Sequence, residues 1–390
     1  MNHPAKKVLV VGGGPAGMEA ALKAGDAGLE VVLVEKEPVL GGTLLRQHRS
    51  FPHWEDPRDL IDLKLQRLDR CPNVRVMPST VVASSVPADS GFSVVLRNVA
   101  SGHESREDVG AVVLATGFDL FDAARYGEYG YGIYPGVVNS LEFEDQLKSW
   151  YAAQCVEAST VTASAAPPGL APPVPAPAAD PAALATAVCG QAPTPKSVAF
   201  FKCVGSRDRV KGLPYCSKIC CMYTAKQAGL VKDLFPDAKC FVFYMDYRAA
   251  GKGYEEFVRS VIEDKHVRYV RGRPSKVLAS NGRLLIRAED TLMGIPIEVE
   301  VDMVVLAAAV VPRPETAELA RMFGAAVDEY GFLEPGFGEP VKCGDRVFFA
   351  GACGFAVETM GALQQGAAAA AEVLALFGGA QRTYAGAGPA

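Results

Sequence analysis

The sequence lacks an excess of basic residues: 39 lysines and arginines stand against 44 aspartates and glutamates, giving a net charge of −5. We therefore expect no binding to nucleic acid. Histidines are also few, and the five present form no HxxxH pair or other metal-binding spacing. With 49% apolar and 21% charged residues, the composition excludes a disordered chain and indicates a globular protein of two or three domains.

Long apolar runs are absent as well. The most apolar late stretches, 303–311 and 367–377, are shorter than the ~20 residues of a membrane-spanning helix, and Glu372 interrupts the second. An apolar strand predicted over Lys7–Val11 begins so close to the first methionine that we expect no signal peptide. These features predict a cytoplasmic protein without a membrane span. Because that compartment is reducing, the ten cysteines indicate metal binding or redox chemistry rather than disulfides.

A glycine-rich motif follows this first strand and reads Gly12-Gly13-Gly14-Pro15-Ala16-Gly17. A helix predicted over Met18–Ala27 comes next, and Glu35 closes the strand predicted over Val31–Val34. In such a βαβ unit the glycines permit a tight turn, a close approach of backbone to pyrophosphate and close helix packing, while the acid binds ribose hydroxyls. The motif therefore predicts a dinucleotide-binding unit.

The order of segments predicts a second, inserted unit. We place the nucleotide-binding domain at 1–150 and 298–390, an Ala/Pro-rich flexible insertion at 151–195, and a strand–loop–helix–strand unit at 196–297. The inserted unit has a strand over Val198–Phe201, a helix over Cys216–Phe235 and a strand over Val242–Met245. This α/β order resembles the thioredoxin-reductase-like flavoproteins, which have two dinucleotide-binding domains.

Further segments favour FAD over NAD in the first domain. Gly42 and Thr43 resemble the second glycine pair of those flavoproteins, and Ala115-Thr116-Gly117 resembles the turn that ends their apolar strand. In their carboxy-terminal motif an aspartate is usual where this chain has Ala352, so we expect binding there through backbone groups. The predicted FAD-binding residues are Gly12, Gly14, Pro15, Ala16, Gly17, Glu35, Lys36, Gly42, Thr43, Val81, Ala115, Thr116, Gly117, Gly351, Ala352 and Gly361.

A second glycine fingerprint is missing from the inserted unit. Where a nicotinamide-dependent enzyme would have one, the chain reads Cys203-Val204-Gly205-Ser206-Arg207-Asp208. A loop with one glycine and bulky polar side chains does not allow close approach to pyrophosphate. We therefore predict no tight NAD(P)H binding.

Four cysteines lie in this place: Cys203, Cys216, Cys220 and Cys221. On the predicted helix, residues four apart share a face and the next residue lies ~100° further round, so three thiols can surround one side of a cluster. Four thiolates suit a 4Fe–4S cluster, whose negative charge Lys218 would moderate. Zinc, a redox disulfide, or simple burial of Cys220 and Cys221 are the alternatives. The remaining six cysteines show no ligand spacing, and among them only Cys353 adjoins a predicted cofactor segment.

Three segments carry a more specific resemblance, to the HdrA family of heterodisulfide reductase subunits. They are the run from Cys203 to Asp208, the run from Tyr215 to Tyr223, and the run from Tyr244 to Phe257. The family includes an HdrA-like protein of sulfur-oxidising bacteria and the HdrA-like component of the quinone-interacting membrane-bound oxidoreductase. The resemblance covers nearly the whole chain outside the Ala/Pro-rich segment.

This resemblance implies that the four cysteines bind a 4Fe–4S cluster beside FAD. Lys226 matches a family lysine that approaches the flavin ring, and we predict it as a catalytic residue; a solvated helix lysine is the alternative. The chain departs from the archaeal relatives in having no ferredoxin-type Cys-x2-Cys-x2-Cys-x3-Cys run and no cysteine at 51–55.

The predicted function is an FAD and 4Fe–4S electron-transfer subunit of an HdrA-like complex in dissimilatory sulfur metabolism. Its expected partners are HdrB- and HdrC-like iron–sulfur subunits or a membrane quinone-linked subunit, and homodimerisation is expected from the fold. Two other hypotheses stay open: a stand-alone NAD(P)H-dependent pyridine nucleotide–disulfide oxidoreductase, and a non-catalytic scaffold that keeps flavin for structure.

Overall fold

A computed structural model describes residues 6–163 and 194–378. The chain divides into two compact units. Unit 1 consists of Met1–Asp122, Cys203–Tyr223 and Ala308–Ala390, and unit 2 of Ala123–Lys202 and Thr224–Ala307. These limits differ from those predicted at 150, 195 and 297, chiefly because the cysteine-containing segment groups with unit 1 rather than with the inserted unit.

The strands, in chain order, are β1 (Lys7–Val11), β2 (Glu30–Val34), β3 (Val74–Met77), β4 (Thr80–Ala88), β5 (Gly91–Asn98), β6 (Glu104–Val109), β7 (Ala111–Leu114), β8 (Phe118–Leu120), β9 (Val137–Asn139), β10 (Ser197–Val204), β11 (Lys239–Tyr244), β12 (Arg268–Arg271), β13 (Lys276–Ser280), β14 (Arg283–Asp290), β15 (Ile295–Val301), β16 (Met303–Ala308), β17 (Val310–Pro312), β18 (Lys342–Gly344) and β19 (Val347–Phe349). The α-helices are α1 (Pro15–Asp26), α2 (Pro57–Asp69), α3 (Ser140–Ala163), α4 (Cys220–Leu234), α5 (Tyr254–Glu263), α6 (Pro314–Phe323) and α7 (Thr359–Gly378).

Unit 1 is built on a six-stranded sheet of order β18-β19-β7-β1-β2-β3, parallel except for β18. Both faces are covered. Val8 and Val10 of β1 lie in one apolar cluster with residues of α1 and α7, whereas Leu9 and Val11 lie in a second cluster with residues of β5 and α6. A strand buried on both faces reads as a continuous apolar run, which is why β1 was readable from the sequence.

Helices α1 and α7 pack through small residues. A Cβ atom on Gly366 of α7 would lie 2.4 Å from the carbonyl oxygen of Ala16, so a larger residue would separate the helices. Within the described ranges α7, with 20 residues, has the length and apolar composition of a membrane-spanning helix. This helix is longer than the apolar stretch 367–377 considered in the sequence, and the expected absence of a membrane span stays a prediction. Length and composition remain a weak indication, because a core helix shares them, and Ala369 and Ala370 are buried in unit 1.

Unit 2 contains a five-stranded sheet of order β12-β11-β10-β16-β9 and an antiparallel sheet of order β13-β14-β15. The helix predicted from Cys216 begins instead at Cys220 as α4. The reason is local: Lys218 has a φ of 57°, a left-handed conformation that cannot continue an α-helix. Helix α3 extends into the predicted insertion as far as Ala163, and residues 164–193 of that insertion lie outside the described residues.

Candidate functional site

The glycine turn between β1 and α1 depends on two residues without a side chain. Gly12 has a φ of 113°, and a Cβ atom there would lie 2.2 Å from the carbonyl oxygen of Ala115. A Cβ atom on Gly17 would lie 1.9 Å from the carbonyl oxygen of Gly12. Both glycines are therefore required by contacts within the protein itself, as expected for the turn and the helix-packing positions of the motif.

Gly14 is different, because the protein alone does not explain its lack of a side chain. It is the N-cap of α1, with ordinary extended dihedrals, and a Cβ atom there would meet no protein atom within 4 Å. The helix begins with Pro15 and has no side-chain cap, so its positive N-terminal end lacks an anionic partner from its own cap. This open, uncapped helix start fits the pyrophosphate of a dinucleotide.

The second glycine pair lies against this turn. The amide of Gly41 donates to the carbonyl oxygen of Gly13 at 2.8 Å. A Cβ atom on Gly42 would lie 3.2 Å from the Cα atom of Gly14, so the two glycine segments are in close contact. Thr43 follows in a 3₁₀ helix, Gly42–Arg46. The structure thus places the Gly41–Gly42 segment against the Gly13–Gly14 turn, and the binding of FAD by Gly42 and Thr43 stays a prediction.

The Glu35 carboxylate is buried at the end of β2 and held by two backbone amides. Gly13 N donates to Oε2 at 2.6 Å, and Glu37 N donates to Oε1 at 2.9 Å. Each carboxylate oxygen has a further lone pair with which it can accept from a ribose hydroxyl. The amides fix the direction in which those lone pairs point, so Glu35 is oriented by the protein before any ligand binds.

The Lys36 side chain forms an ion pair with a residue of helix α6. Its Nζ atom lies 2.5 Å from Glu315 Oε1. This hydrogen bond lowers the pKa of Glu315 against the opposing effect of burial. Lys36 therefore ties the end of β2 to the first turn of α6.

Two of the predicted flavin residues, Gly117 and Gly351, lie in turns. Gly117 and Gly351 have φ values of 78° and 82°, which favour glycine. The Gly351 amide donates to Gln365 Oε1 at 2.9 Å, so this amide already has a protein acceptor, contrary to the expectation that it is left for the cofactor. Gln365 was not predicted from the sequence, since nothing in the local spacing marks it.

The other predicted flavin residues lie at varied depths of unit 1. Ala16, Ala115 and Ala352 are buried, Val81 is half-buried on β4, and Gly361 lies in the first turn of α7. The Thr116 hydroxyl lies 2.7 Å from the Thr316 hydroxyl of α6, another partner that sequence reasoning missed.

Three of the four predicted cluster cysteines come together inside unit 1. Cys203, Cys220 and Cys221 are at most 3% exposed. Hydrogen bonding to the Cys203 thiol, then to that of Cys221, together with burial, raises the pKa of Cys220 well above its usual value. Cys216 is half-buried on the loop before α4, where the Lys218 amide lies 3.4 Å from its Sγ atom and donates to it.

The loop that carries Cys203 and Cys216 has an unusual backbone. Cys203, Arg207 and Lys218 have φ values of 61°, 56° and 57°. Left-handed conformations at residues other than glycine cost energy, and they are retained mainly where a site requires them. At Gly205 a Cβ atom would lie 2.3 Å from the ring of Phe121, so the loop is also held tightly against its surroundings.

Within unit 1 this loop contacts the segment between Gly351 and Gly361, which carries predicted flavin residues. The ring centroid of Tyr215 lies 5.6 Å from that of Phe355, and Lys218 Nζ lies 3.1 Å from Glu358 Oε2. The Ser217 hydroxyl accepts from the amide of Val310 at 2.9 Å. Phe355 and Glu358 lie in the stretch between Gly351 and Gly361, so the cysteine loop contacts the same segment that carries predicted flavin residues.

The described cysteine side chains are free thiols, and they form no recognised metal-binding group. Within the described ranges no group of three or more His, Cys, Asp or Glu side chains forms a site for one metal ion. The eight cysteines whose side chains the structure describes are all free thiols. Cys203, Cys220 and Cys221 are buried thiols, the type of ligand that iron–sulfur clusters use, and the cluster itself stays a prediction.

Lys226 is buried in unit 2 at 1% exposure, so the alternative of a solvated helix lysine is wrong. Its Nζ atom lies 2.7 Å from Glu144 Oε1. Gln227 Nε2 donates to the same carboxylate oxygen at 2.7 Å and to the carbonyl oxygen of Ser140 at 2.9 Å. The proximity of Lys226 to a flavin ring stays a prediction.

Comparisons with known proteins first define the class. A family model described as FAD dependent oxidoreductase matches residues 7–53. The thioredoxin reductase of T. acidophilum superposes with a TM-score of 0.59 at 14% identity, covering 94% of this chain and 98% of that one. An NAD-dependent persulfide reductase from A. fulgidus gives a TM-score of 0.54 at 17% identity, covering 96% of this chain and 59% of that one. The predicted thioredoxin-reductase-like flavoprotein fold is confirmed.

Sequence relatives are more specific. The HdrA-type iron–sulfur subunit of CoB–CoM heterodisulfide reductase from Methanocaldococcus jannaschii is 29% identical over 84% of this chain and 57% of its own length. A corresponding subunit from Methanopyrus kandleri is 28% identical over 94% of this chain and 63% of its own length. The resemblance to the HdrA family is thereby confirmed, and the start of the chain matches an FAD dependent oxidoreductase family. It spans less than two thirds of the length of these relatives.

Proposed function

We propose that this chain is an FAD- and 4Fe–4S-containing electron-transfer subunit of a heterodisulfide-reductase-like complex. One observation carries the proposal: the cysteine loop contacts the segment between Gly351 and Gly361 within unit 1. Residues suited to hold a cluster and residues suited to hold a flavin thus belong to one compact body. Such an arrangement is expected of a protein that passes electrons between two bound groups.

The glycine turns and Glu35 would hold FAD. Gly14 leaves the uncapped start of α1 open for the pyrophosphate, and the amide-oriented Glu35 accepts from the ribose hydroxyls. When bound, FAD supplies the exchange of two electrons with a substrate or partner. The role of the protein is to bind and orient, since the residues named present backbone groups and one fixed carboxylate rather than a nucleophile.

Cys203, Cys216, Cys220 and Cys221 would hold the cluster, which supplies one-electron transfer when bound. The left-handed backbone at Cys203 turns the end of β10 toward the start of α4, where Cys220 and Cys221 lie. The half-buried Cys216 is the most exposed of the four, so it marks the side of the site nearest to solvent. A partner protein would accept or deliver electrons on that side.

The physiological setting is part of the proposal, and the likeness to heterodisulfide reductase subunits supports it. We place the chain, as a homodimer, in a cytoplasmic complex of sulfur metabolism. Its partners there are HdrB- and HdrC-like iron–sulfur subunits or a membrane quinone-linked subunit. The relatives named above belong to heterodisulfide reductases. Direct reduction by NAD(P)H is not part of the proposed function, because the second glycine fingerprint is replaced by the cysteine loop.

Anaerobic purification with analysis of flavin, iron and sulfide tests this function. We expect one FAD and about four iron atoms per chain, with an EPR signal of a reduced cubane cluster after dithionite treatment. Cys220→Ser combined with Cys221→Ser is expected to abolish iron binding. Cys240→Ser is the matched control, because Cys240 is also buried, with its pKa raised to about 12 by burial, but lies on β11 of unit 2. Wild-type protein with FAD and no iron, or iron retained by the double variant, would refute the cluster assignment.

A further inference from the structure

Cys353 lies at the junction of the two strands whose ends carry predicted flavin residues. Its side chain is 0% exposed. The Sγ atom lies 3.3 Å from the carbonyl oxygen of Leu114, the last residue of β7, and 3.3 Å from that of Ala350, which follows β19. One thiol therefore contacts both strand ends at the points where their flavin-facing turns begin.

The next turn also surrounds this sulfur. Burial raises the pKa of the Cys353 thiol, while hydrogen bonds with the backbone of Ala350, with the backbone of Thr116 and Gly117, and with the Thr116 side chain act in the opposite direction. The thiol thus contacts acceptors on two strands and donors in the Ala115–Gly117 turn. The sulfur atom thus contacts the end of β7, the residue after β19 and the Ala115–Gly117 turn.

The backbone of Cys353 is anchored as well. Its carbonyl oxygen accepts from the amide of Leu333 at 2.9 Å, and Gly354 N donates to the carbonyl oxygen of Gly351 at 3.2 Å. Because the backbone of Cys353 is held in place, the contacts of its thiol fix the distance between the two turns. Ala352 beside it offers no polar side chain, so the placement of backbone groups decides how this segment meets a ligand.

We propose that Cys353 is a positioning residue for FAD, whose thiol holds the Ala115–Gly117 turn and the Gly351–Ala352 turn at the spacing the flavin requires. The inference rests on the proposed flavin function and deepens it. Cys353 itself donates no group to the cofactor and acts through the two turns. Without the thiol, the spacing between the two turns that bind FAD becomes less fixed. The affinity for FAD is therefore expected to fall more than the stability of the folded protein.

Cys343 provides a matched control in the same apolar cluster. It is also buried, which raises its pKa to about 12, but its Sγ atom lies 3.7 Å from the carbonyl oxygen of Val347, outside the flavin turns. Alanine at either position removes one buried sulfur. A purely structural role therefore predicts similar losses of stability from Cys353→Ala and Cys343→Ala, and similar small changes in FAD affinity.

The test is a titration of flavin-free protein with FAD, followed by fluorescence, for wild type and for the alanine and serine variants at both positions. Loss of the single S–H donor that Leu114 O and Ala350 O share predicts that Cys353→Ala weakens FAD binding about tenfold and shifts the visible flavin spectrum, while Cys353→Ser recovers most of the affinity. Cys343→Ala is expected to keep wild-type affinity. Equal effects of the two alanine variants on affinity, or no recovery in Cys353→Ser, would overturn the positioning role. Failure of the wild type to bind FAD would instead overturn the proposed function.

Discussion

Lys226 and Glu144 form an ion pair of 2.7 Å whose side chains are 1% and 3% exposed. Such a pair is costly to desolvate, so its contribution to net stability is small as long as both partners are present. Removal of one partner leaves the other charge buried. The pair thus joins α3 to α4 within unit 2. Replacing only one of the two residues is expected to destabilise unit 2, because it leaves a buried charge without its partner.

Lys226→Met is expected to destabilise unit 2 by about 3 kcal/mol, because it removes the cation that the buried Glu144 carboxylate contacts. Lys226→Met combined with Glu144→Leu removes both charges and is expected to recover at least half of that loss. Urea unfolding followed by tryptophan fluorescence measures both, and Lys239→Met, at an exposed position of the same unit, is the control. A double variant no more stable than Lys226→Met would contradict the explanation.

Two glycines of the same turn are expected to respond in opposite ways to a methyl group. Gly17→Ala places Cβ 1.9 Å from the carbonyl oxygen of Gly12, so we expect loss of folded protein. Gly14→Ala meets no protein atom within 4 Å, and we expect normal thermal stability of flavin-free protein with FAD affinity reduced at least about tenfold. Thermal melts and FAD titration separate the two outcomes. Unchanged FAD affinity in Gly14→Ala would show that the open space at α1 is not the pyrophosphate site.

The charge of Glu35 is expected to matter for FAD affinity. Glu35→Gln can still accept from one amide but loses a charged acceptor for the ribose hydroxyls, which predicts about 10–100-fold weaker binding. Glu37→Gln, two residues on and exposed, removes the same charge without facing the turn and is expected to bind as wild type. The comparison is made at two salt concentrations. If both variants lose affinity equally, the effect is general electrostatics and not a bond to ribose.

Asp302 predicts an acid-sensitive step in unit 2. Burial alone would raise its pKa, but hydrogen bonds from Ser197, the Lys196 amide and Arg283 lower the pKa below the usual 3.8. A carboxyl with a lowered folded pKa contributes stability above its ordinary pKa and loses it as the pH falls through the folded value. Asp302→Asn is therefore expected to destabilise at pH 7 and to differ progressively less from wild type as the pH falls below the usual pKa of 3.8. Urea unfolding at both pH values tests this, with the exposed Asp237→Asn as control.

Much of the βαβ unit could be predicted from the sequence because its signals are local. The turn from Gly12 to Gly17 follows an apolar strand, and Glu35 closes the next, so neighbouring residues define the whole βαβ unit. Steric reasons for Gly12 and Gly17 appear in the structure as contacts with the same turn and with Ala115. Here the motif and its physical cause coincide.

The remaining features depend on pairings across the chain that no spacing reveals. Cys353 meets Leu114, and Lys36 meets Glu315, only because distant strands and helices assemble. The start of α4 was placed too early since helix periodicity at Cys216, Cys220 and Cys221 gives no sign that Lys218 adopts a left-handed conformation. Glu144, the buried partner of Lys226, was also missed, because the two residues lie far apart in the sequence.

Unit 1 is assembled from three separated stretches of the chain, and Val347 of β19 pairs with Val112 of β7. During synthesis β7 leaves the ribosome long before its neighbour exists, and its open edge is available for pairing with other chains until β19 appears. The βαβ unit alone therefore lacks the strand that completes the sheet beside β7. Translational pausing after β7 would leave that edge open and expose this protein to aggregation.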